Sequence, residues 1–513
     1  MQINKTLALL AIVSPWGCKE VEKQIDEKPN VIVIFPDQLR RYSAGFWNEE
    51  PYRSEVVGVS DPVVTPTIDK LAKNGVVFTN AISNYPLCSP YRGMMLTGQY
   101  PQQNGIWGNC KAGRNHELRN DVKTITDVFY EAGYNTSYFG KCHWEKTEAL
   151  FDENGNYKGT LEEPGGHLVN NYDTYVPPGA SRHSIEYFYQ ALKDAHFDSH
   201  IYSSDPKLIG GKKDGELHKT TKFSAENEAD QIIKYVRNSH GQRDEDKPFF
   251  MIWALNPPHN PWDDANTDMD ALHQHYDTDK FAGIKDLVLR PNADLEVAHY
   301  ARNYFANVTA VDKYIGTVID ELEKQGLLEN TIVIFTSDHG EMLGSHGKTG
   351  KNILELESIA VPFIVHYPKK VKTGITDLML GATDIMPTLL GLAGLQDRTP
   401  SVIQGDDFSK EILHPGTDEI EKPESVLLLL GNARGIQNDR YTLCIEEDVV
   451  AGKITSSYLY DNKKDPYQQT KMLLDVTQSE VQLLLEALGE KLKYSNDPWY
   501  LERKYADLIV YPE

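Results

Sequence analysis

The chain of 513 residues is poor in positive charge: 52 Lys and Arg against 75 Asp and Glu leave a formal charge of -23, and the basic residues form no clusters. Nucleic acid is thereby excluded as a partner, because binding phosphates requires such clusters. Net charge mainly reports solubility, so an anionic small substrate can still be met by local positive charge. Cysteines are scarce as well, five in all, too few and too scattered to describe a disulfide framework. Internal repeats and low-complexity tracts are missing, and the ordinary composition argues against extensive disorder. What remains is a globular chain long enough for one large domain and a smaller one.

Residues 1–17 read as an export signal, with Lys5 supplying a small basic region and Leu7 to Val13 a short apolar run that cannot span a bilayer. Gly17-Cys18 follows, and a small residue directly before cysteine resembles a bacterial lipoprotein cleavage site, although Pro15 and Trp16 depart from the usual box. On this reading Cys18 becomes the acylated first residue and residues 18–28 a tether.

Asn30 to Phe35 is a continuous apolar run of the kind that a central parallel strand, covered on both faces, requires. Similar strands are predicted at Phe249 to Trp253, Ile332 to Phe335 and Pro362 to Val365. Val308, Val311, Ile315, Val318, Ile319 and Leu322 recur at helical spacing until Gly326, and Thr65-Pro66 opens a helix carrying Ile68, Leu71 and Ala72. The expected fold is α/β, a mainly parallel central sheet sandwiched by helices over 29–425. A smaller C-terminal α+β subdomain is expected over 426–513, with a helix at Leu483, Leu484, Leu485 and Leu488. Long polar stretches at 145–222 and 263–296 are expected to shape a substrate pocket. Ligands of such sheets gather beyond the carboxyl ends of the strands, where Asp37-Gln38 and Asp338-His339 both fall.

Cys88-Ser89-Pro90-Tyr91-Arg92, followed by Gly93 to Gly98, joins a nucleophile to an arginine at an expected helix start. With its trailing Thr97-Gly98 it resembles the signature of the type I, formylglycine-dependent sulfatases of the alkaline phosphatase superfamily. Gly140-Lys141-Cys142-His143 resembles their second signature, with Cys142 in place of the usual tryptophan. Ala382 to Thr388 is a further familiar segment, and the likeness runs from Asn30 to about Gly394, more weakly through Leu459-Tyr460-Asp461 and Asp465-Pro466.

The resemblance implies sulfate ester hydrolysis. A maturase would oxidise Cys88 to formylglycine, whose hydrate attacks sulfur with one hydroxyl and expels sulfate with the other. A plain serine or thiol would stall after one transfer. The resemblance also implies one calcium ion beside the formylglycine, with Asp37, Gln38, Asp338 and His339 as ligand positions. Many members have a second Asp at Gln38's place and Asn at His339's, and histidine is an atypical calcium ligand, so His339 has hydrogen bonding as its alternative. Lys141 and Lys351 would bind sulfate oxygens, with Lys351 preferred to Lys348, and Arg92 would hold the hydrate through its fixed fork. His143 would assist the nucleophile, and His259, held on a proline-rich turn, would protonate the leaving oxygen; the sequence leaves exchange of these two roles open.

Lys141 and His143 lie two apart, so an extended segment would turn both to one side. Trp107, Asn109, Arg114 and His116, downstream of the nucleophile helix, are candidates for a sugar subsite. The substrate expected is a sulfated carbohydrate of the galactose or N-acetylgalactosamine type. Its enzyme would be exported to the periplasm or outer surface of a Gram-negative cell, touching the membrane only through the N-terminal lipid. The nearest rival is a phosphonate monoester or phosphodiester hydrolase of the same superfamily. A two-zinc phosphatase fits less well, since Lys141 and Lys351 would occupy the second metal's space, and a glycan-binding lipoprotein without turnover has no need of the retained Cys88, Arg92, lysines and carboxylates.

Overall fold

The structure, a computed structural model, describes residues 27–111, 114–146, 150–151, 157–159, 173–192, 196–208, 213–415 and 422–512. The export signal, Cys18 and most of the tether lie outside the described residues, as does much of the polar stretch from 145.

Ten strands form the central sheet: β1 (Asn30–Asp37), β2 (Val76–Ile82), β3 (Asn135–Gly140), β4 (Tyr187–Ala191), β5 (His200–Ser203), β6 (His218–Lys219), β7 (Phe249–Pro258), β8 (Thr331–Phe335), β9 (Ile364–His366) and β10 (Gly374–Gly381). Their spatial order is β10-β2-β9-β8-β1-β7-β3-β4-β5-β6. Strands β8, β1, β7, β3 and β4 are mutually parallel, and β8, β1 and β7 are strands that the apolar runs anticipated, whereas β3 and β4 were not. Outside this block the sheet is mixed. Strand β9, predicted as one more strand of the parallel set, runs antiparallel to both β8 and β2. The physical reason is its connection: a parallel neighbour needs a crossover element, and between Phe335 and Ile364 the only helix is Leu356–Ile359, so the chain crosses the end of the sheet and turns back.

Strand β1 shows why the sheet is covered twice. Alternate side chains point to opposite faces. Val31, Val33 and Phe35 join one core with Met94 and Met95 of helix α1 (Cys88–Thr97), and with the C-terminal subdomain. Ile32 and Ile34 join another core with Ile232 of α2 (Ser224–Val236) and with Val308, Ile315 and Val318 of α3 (Ala301–Lys324). Helix α3 contains the predicted stripe, and Gly326, at φ 70°, follows its end. The Thr65-Pro66 helix also forms, over Pro66–Lys73.

The C-terminal subdomain is a five-stranded antiparallel sheet starting at Ser425, covered by helix α4 (Ser479–Tyr494). Leu484, Leu485 and Leu488 of α4 are buried, whereas Leu483 points outward and is 64 % exposed, as helical spacing requires. No helix among the described residues is long and apolar enough to cross a membrane.

Candidate active site

Four segments meet beyond the carboxyl ends of the parallel strands. Strand β1 ends in Asp37, and Gln38 follows in a left-handed turn at φ 69° whose backbone N–H donates to Asp338 Oδ1 at 3.0 Å. Asp338 stands three residues beyond β8, its own carbonyl accepting from Ser83 Oγ at 2.6 Å. Strand β3 ends in Gly140, where only glycine is tolerated: φ is 97° and a Cβ would lie 2.1 Å from the Ala254 carbonyl oxygen. This close approach lets Lys141 N–H donate to Ala254 O at 2.8 Å and turns the lysine into the site.

Cys88 opens helix α1 and is 1 % exposed. The helix's first turn is finished from the following loop: Ser89 N–H donates to Asn109 Oδ1 at 3.1 Å, and Cys110 N–H donates back to Ser89 Oγ at 3.1 Å. The nucleophile position therefore lies at the positive end of a helix, which favours an anion.

Cys88 Sγ is 3.4 Å from His339 Nε2 and 3.8 Å from Asp37 Oδ1. One atom from each of Asp37, Cys88, Asp338 and His339 lies within 4.8 Å of the others, the geometry of a metal-holding group. His339 Nδ1 is 3.0 Å from the Gly340 carbonyl, so it carries a proton there and turns Nε2 inward, 3.6 Å from both carboxylates. Burial works against a charged imidazole, but Asp338 raises it above its ordinary value; a divalent cation held by the two carboxylates would take the place of the Nε2 proton, so the set fits such an ion. Gln38 stands beside this set with its amide engaged by Glu341 and Lys351.

Positive charge surrounds the same centre. Arg92 donates through Nη1 to the Lys141 carbonyl at 2.7 Å and through Nη2 to Asp37 Oδ2 and Asp338 Oδ2 at 3.1 and 3.3 Å. Lys141 Nζ also donates to Asp37, and Tyr138 O–H donates to the Lys141 carbonyl at 2.6 Å. Burial and the Cys88 charge work against ionisation of Asp37, but Lys141, His259 and His339 hold its carboxyl well below the usual range. Asp338 is pushed up to about 6 by burial and by the charge of Asp37. Burial would raise the Cys88 thiol, yet Lys141, Lys351 and His339 bring it well below its ordinary value.

His143 is fully buried and its ring faces the Cys88 thiol, with no other hydrogen-bond partner. It adopts φ 56°, so a left-handed turn, not strand alternation, brings it with Lys141 to the nucleophile. His259 and Lys351 lie on the solvent side: His259 is 4 % exposed, Lys351 half-buried, and Lys351 Nζ is 2.7 Å from His259 Nε2.

The four candidates for a sugar subsite have different surroundings. Asn109 caps the nucleophile helix, and Trp107 lies 5.6 Å from the Arg434 guanidinium of the C-terminal subdomain, its carbonyl accepting from Tyr85 O–H. Arg114 is exposed and His116 half-buried over Gly108. Sequence reasoning passed over Glu341, Tyr300 and Tyr138; Glu341, three residues after Asp338 in the same loop, offered the one available signal.

Comparison with known proteins finds matches among the sulfatases. The family model for the sulfatases matches residues 29–395, and that for the C-terminal part of N-sulphoglucosamine sulphohydrolase matches 344–495. The chain is 38 % identical to an endo-4-O-sulfatase of Bacteroides thetaiotaomicron, over 98 % of this chain and 99 % of that protein. It is 29 % identical to an ulvan-active sulfatase of Formosa agariphila, over 97 % and 90 %. A solved structure described under the metabolism of multiple glycosaminoglycans by Bacteroides thetaiotaomicron superposes with a TM-score of 0.86 at 37 % identity, covering 94 % of this chain and all of that one.

Proposed function

The chain belongs to the sulfatase family and is a sulfuric ester hydrolase, and from that premise we propose that it removes 4-O-sulfate from within glycosaminoglycan-type chains. The sulfated unit is of the N-acetylgalactosamine or galactose type. The observation that carries the substrate is the 38 % identity, along nearly the full length of both chains, to an endo-4-O-sulfatase.

Matured residue 88 would act as formylglycine, and Asp37, Asp338 and His339, with Gln38 alongside, would hold calcium. Bound there, the ion would act as a Lewis acid toward a sulfate oxygen, and the matured residue 88 would supply a hydrated aldehyde as nucleophile. The chain's own residues do the rest. Arg92 keeps the two carboxylates apart and oriented, since its fork contacts both and is anchored on the Lys141 carbonyl. Lys141 from the buried side and Lys351 from the solvent side neutralise the sulfate oxygens, which otherwise repel a nucleophile. His143, buried against residue 88 and engaged by no other hydrogen-bonding group, takes its proton. His259, nearer solvent, protonates the departing sugar oxygen. A phosphodiester hydrolase is not favoured by these relatives.

Export through residues 1–17 and lipidation at Cys18 complete the reading: a surface enzyme that meets polymeric substrate outside the cell, matured by an enzyme acting on Cys88.

The test is sulfate release by calcium-loaded, formylglycine-bearing protein from 4-O- and 6-O-sulfated glycosaminoglycan oligosaccharides of increasing length and from one phosphodiester, beside Cys88→Ala. Release from internal 4-O positions that vanishes in the variant is expected. Cys88-dependent cleavage confined to 6-O-sulfate or to monosaccharides would overturn the substrate, and cleavage of the phosphodiester alone would overturn the sulfate chemistry.

A further inference from the structure

Glu341 has no place in the chemistry above, yet it is fully buried and donors converge on it from three directions. Oε1 accepts from Tyr300 O–H at 2.5 Å, Leu343 N–H at 3.0 Å and Gly350 N–H at 2.9 Å. Oε2 accepts from Gly350 N–H at 3.1 Å and from the side-chain amide of Gln38. Leu343 makes its contact from φ 46°, a strained backbone for a branched side chain that persists only where surroundings enforce it.

The orientation of the Gln38 amide follows from this. A carboxylate already surrounded by donors can only accept, so Gln38 must turn its NH2 toward Glu341, leaving Oε1 for the other side. There Lys351 Nζ, which can only donate, meets Oε1 at 2.5 Å. The polarity runs one way, from ammonium through amide to carboxylate. Glu341 therefore grips Lys351 at both ends: its backbone through the N–H of the preceding Gly350, and its head group through Gln38. Tyr300 extends the same grip, since its ring stacks at 4.0 Å on Trp262, three residues after His259.

We propose that Glu341 is a positioning residue that acts through Gln38 to fix the ammonium of Lys351 where it receives the sulfate ester. This rests on the sulfate-binding part given to Lys351 above. An amide at 341 has a single acceptor oxygen, and with that oxygen held by the Leu343 and Gly350 N–H groups its NH2 lies where Gln38 also donates. Gln38 must then flip and present its NH2 to a cation, and Lys351 loses its anchor. Exchanging the two side chains restores the polarity, because a carboxylate at 38 accepts from both Lys351 and the amide at 341.

The experiment measures kcat, KM and inhibition by inorganic sulfate for the calcium-loaded mature enzyme on a 4-O-sulfated oligosaccharide. The proteins are wild type, Glu341→Gln, Lys351→Ala, Glu341→Gln with Lys351→Ala, and Gln38→Glu with Glu341→Gln, each with formylglycine content and melting temperature recorded. Loss of one charge-assisted hydrogen bond is expected to raise KM and the sulfate inhibition constant about tenfold in Glu341→Gln, with a smaller effect on kcat. The exchange variant should recover most of that loss, and Glu341→Gln should add little once Lys351 is alanine. An undiminished Glu341→Gln effect in the Lys351→Ala background would overturn the proposal, as would a properly folded exchange variant that binds calcium as wild type does yet shows no recovery. If Glu341→Gln does not fold, the exchange variant, with calcium affinity measured beside it because Gln38 adjoins the metal site, decides by its own KM, near wild type or not. Wild type that releases no sulfate would instead refute the function on which the proposal stands.

Discussion

The ammonium of Lys351 lies 2.7 Å from Nε2 of His259. Because His259 Nδ1 is 2.8 Å from the Asn260 carbonyl, the proton sits on Nδ1 and Nε2 accepts from the lysine. In the resting site the two groups thus hold each other. A sulfate ester entering between them draws Lys351 onto its oxygens, and Nε2, once it has taken up a proton from solvent, faces the bridging oxygen as an imidazolium acid.

That arrangement separates the two histidines by their dependence on the leaving group. His259→Ala should lower kcat on a sugar sulfate by about 10²–10⁴-fold, because an alkoxide needs the proton. An aryl sulfate, whose phenolate leaves unaided, should lose far less. His143→Ala, which removes the base beside residue 88, should slow both substrates alike. Equal losses for the two variants on both substrates would reassign the roles.

Arg92 presents a second case in which one side chain serves several partners. Its fork spans the Lys141 carbonyl and both carboxylates, a reach that a single ammonium does not have. Arg92→Lys should therefore reduce kcat by about 10²–10³-fold, the usual effect of a lost charge-stabilising donor. Arg92→Ala also strands buried carboxylates and should destabilise the metal-free fold by about 3–5 kcal/mol. Mass spectrometry of residue 88 must accompany the kinetics, since Arg92 belongs to the motif expected to direct maturation. Full activity in a fully matured Arg92→Lys protein would remove the fork from the mechanism.

How much of this was visible in the sequence depends on the range of the interaction. The apolar runs of β1, β7 and β8 and the stripe of α3 are local patterns, and they sit where periodicity put them. Asp37 and Asp338 were legible as strand-end carboxylates because ligand crevices form at the carboxyl end of the strands in such a sheet. Strand β9 was readable as a strand but not in direction, which its connection decides. Glu341 was in plain view beside Asp338, but what it does depends on Gln38, 303 positions away, and on the ring of Tyr300. No pattern within the loop records such partners. Asn109 is a similar case: its cap on Ser89 closes a turn across 20 residues and leaves no periodic trace.

Cofactor removal gives a further check on the ligand set. Exhaustive chelation should abolish sulfate release, and calcium should restore it. His339→Asn, which supplies an oxygen where the imidazole nitrogen now faces the carboxylates, should retain binding and shift preference toward calcium over softer divalent ions. Calorimetry of metal binding reads this without turnover, and unchanged affinities for all ions would place His339 outside the ligand set.

A last prediction concerns a carboxyl group behind the site. Glu228 is fully buried and donates or accepts nothing through Oε1, while Oε2 accepts from Trp253 Nε1–H at 2.7 Å and lies against Gly140, 3.3 Å from where a Cβ would stand. Burial, only partly offset by the indole, pushes its carboxyl up to about 8 from an ordinary 4.5. A folded-state value above the unfolded one means that the folded protein holds this proton more tightly. The associated stability is therefore complete below about pH 4.5 and is lost as pH rises toward 8, at about 1.4 kcal/mol per pH unit. Glu228→Gln keeps the shape and removes the proton. Its melting temperature relative to wild type should rise steadily between pH 5 and pH 8, and above that range the difference should level off as both states of the wild-type carboxyl are ionised. Parallel melting curves across this range would show that Glu228 does not titrate there. Since the group lies under the turn that carries Lys141, the same variant should also extend activity toward alkaline pH, because the wild-type turn must accommodate an unpaired buried charge and the variant need not.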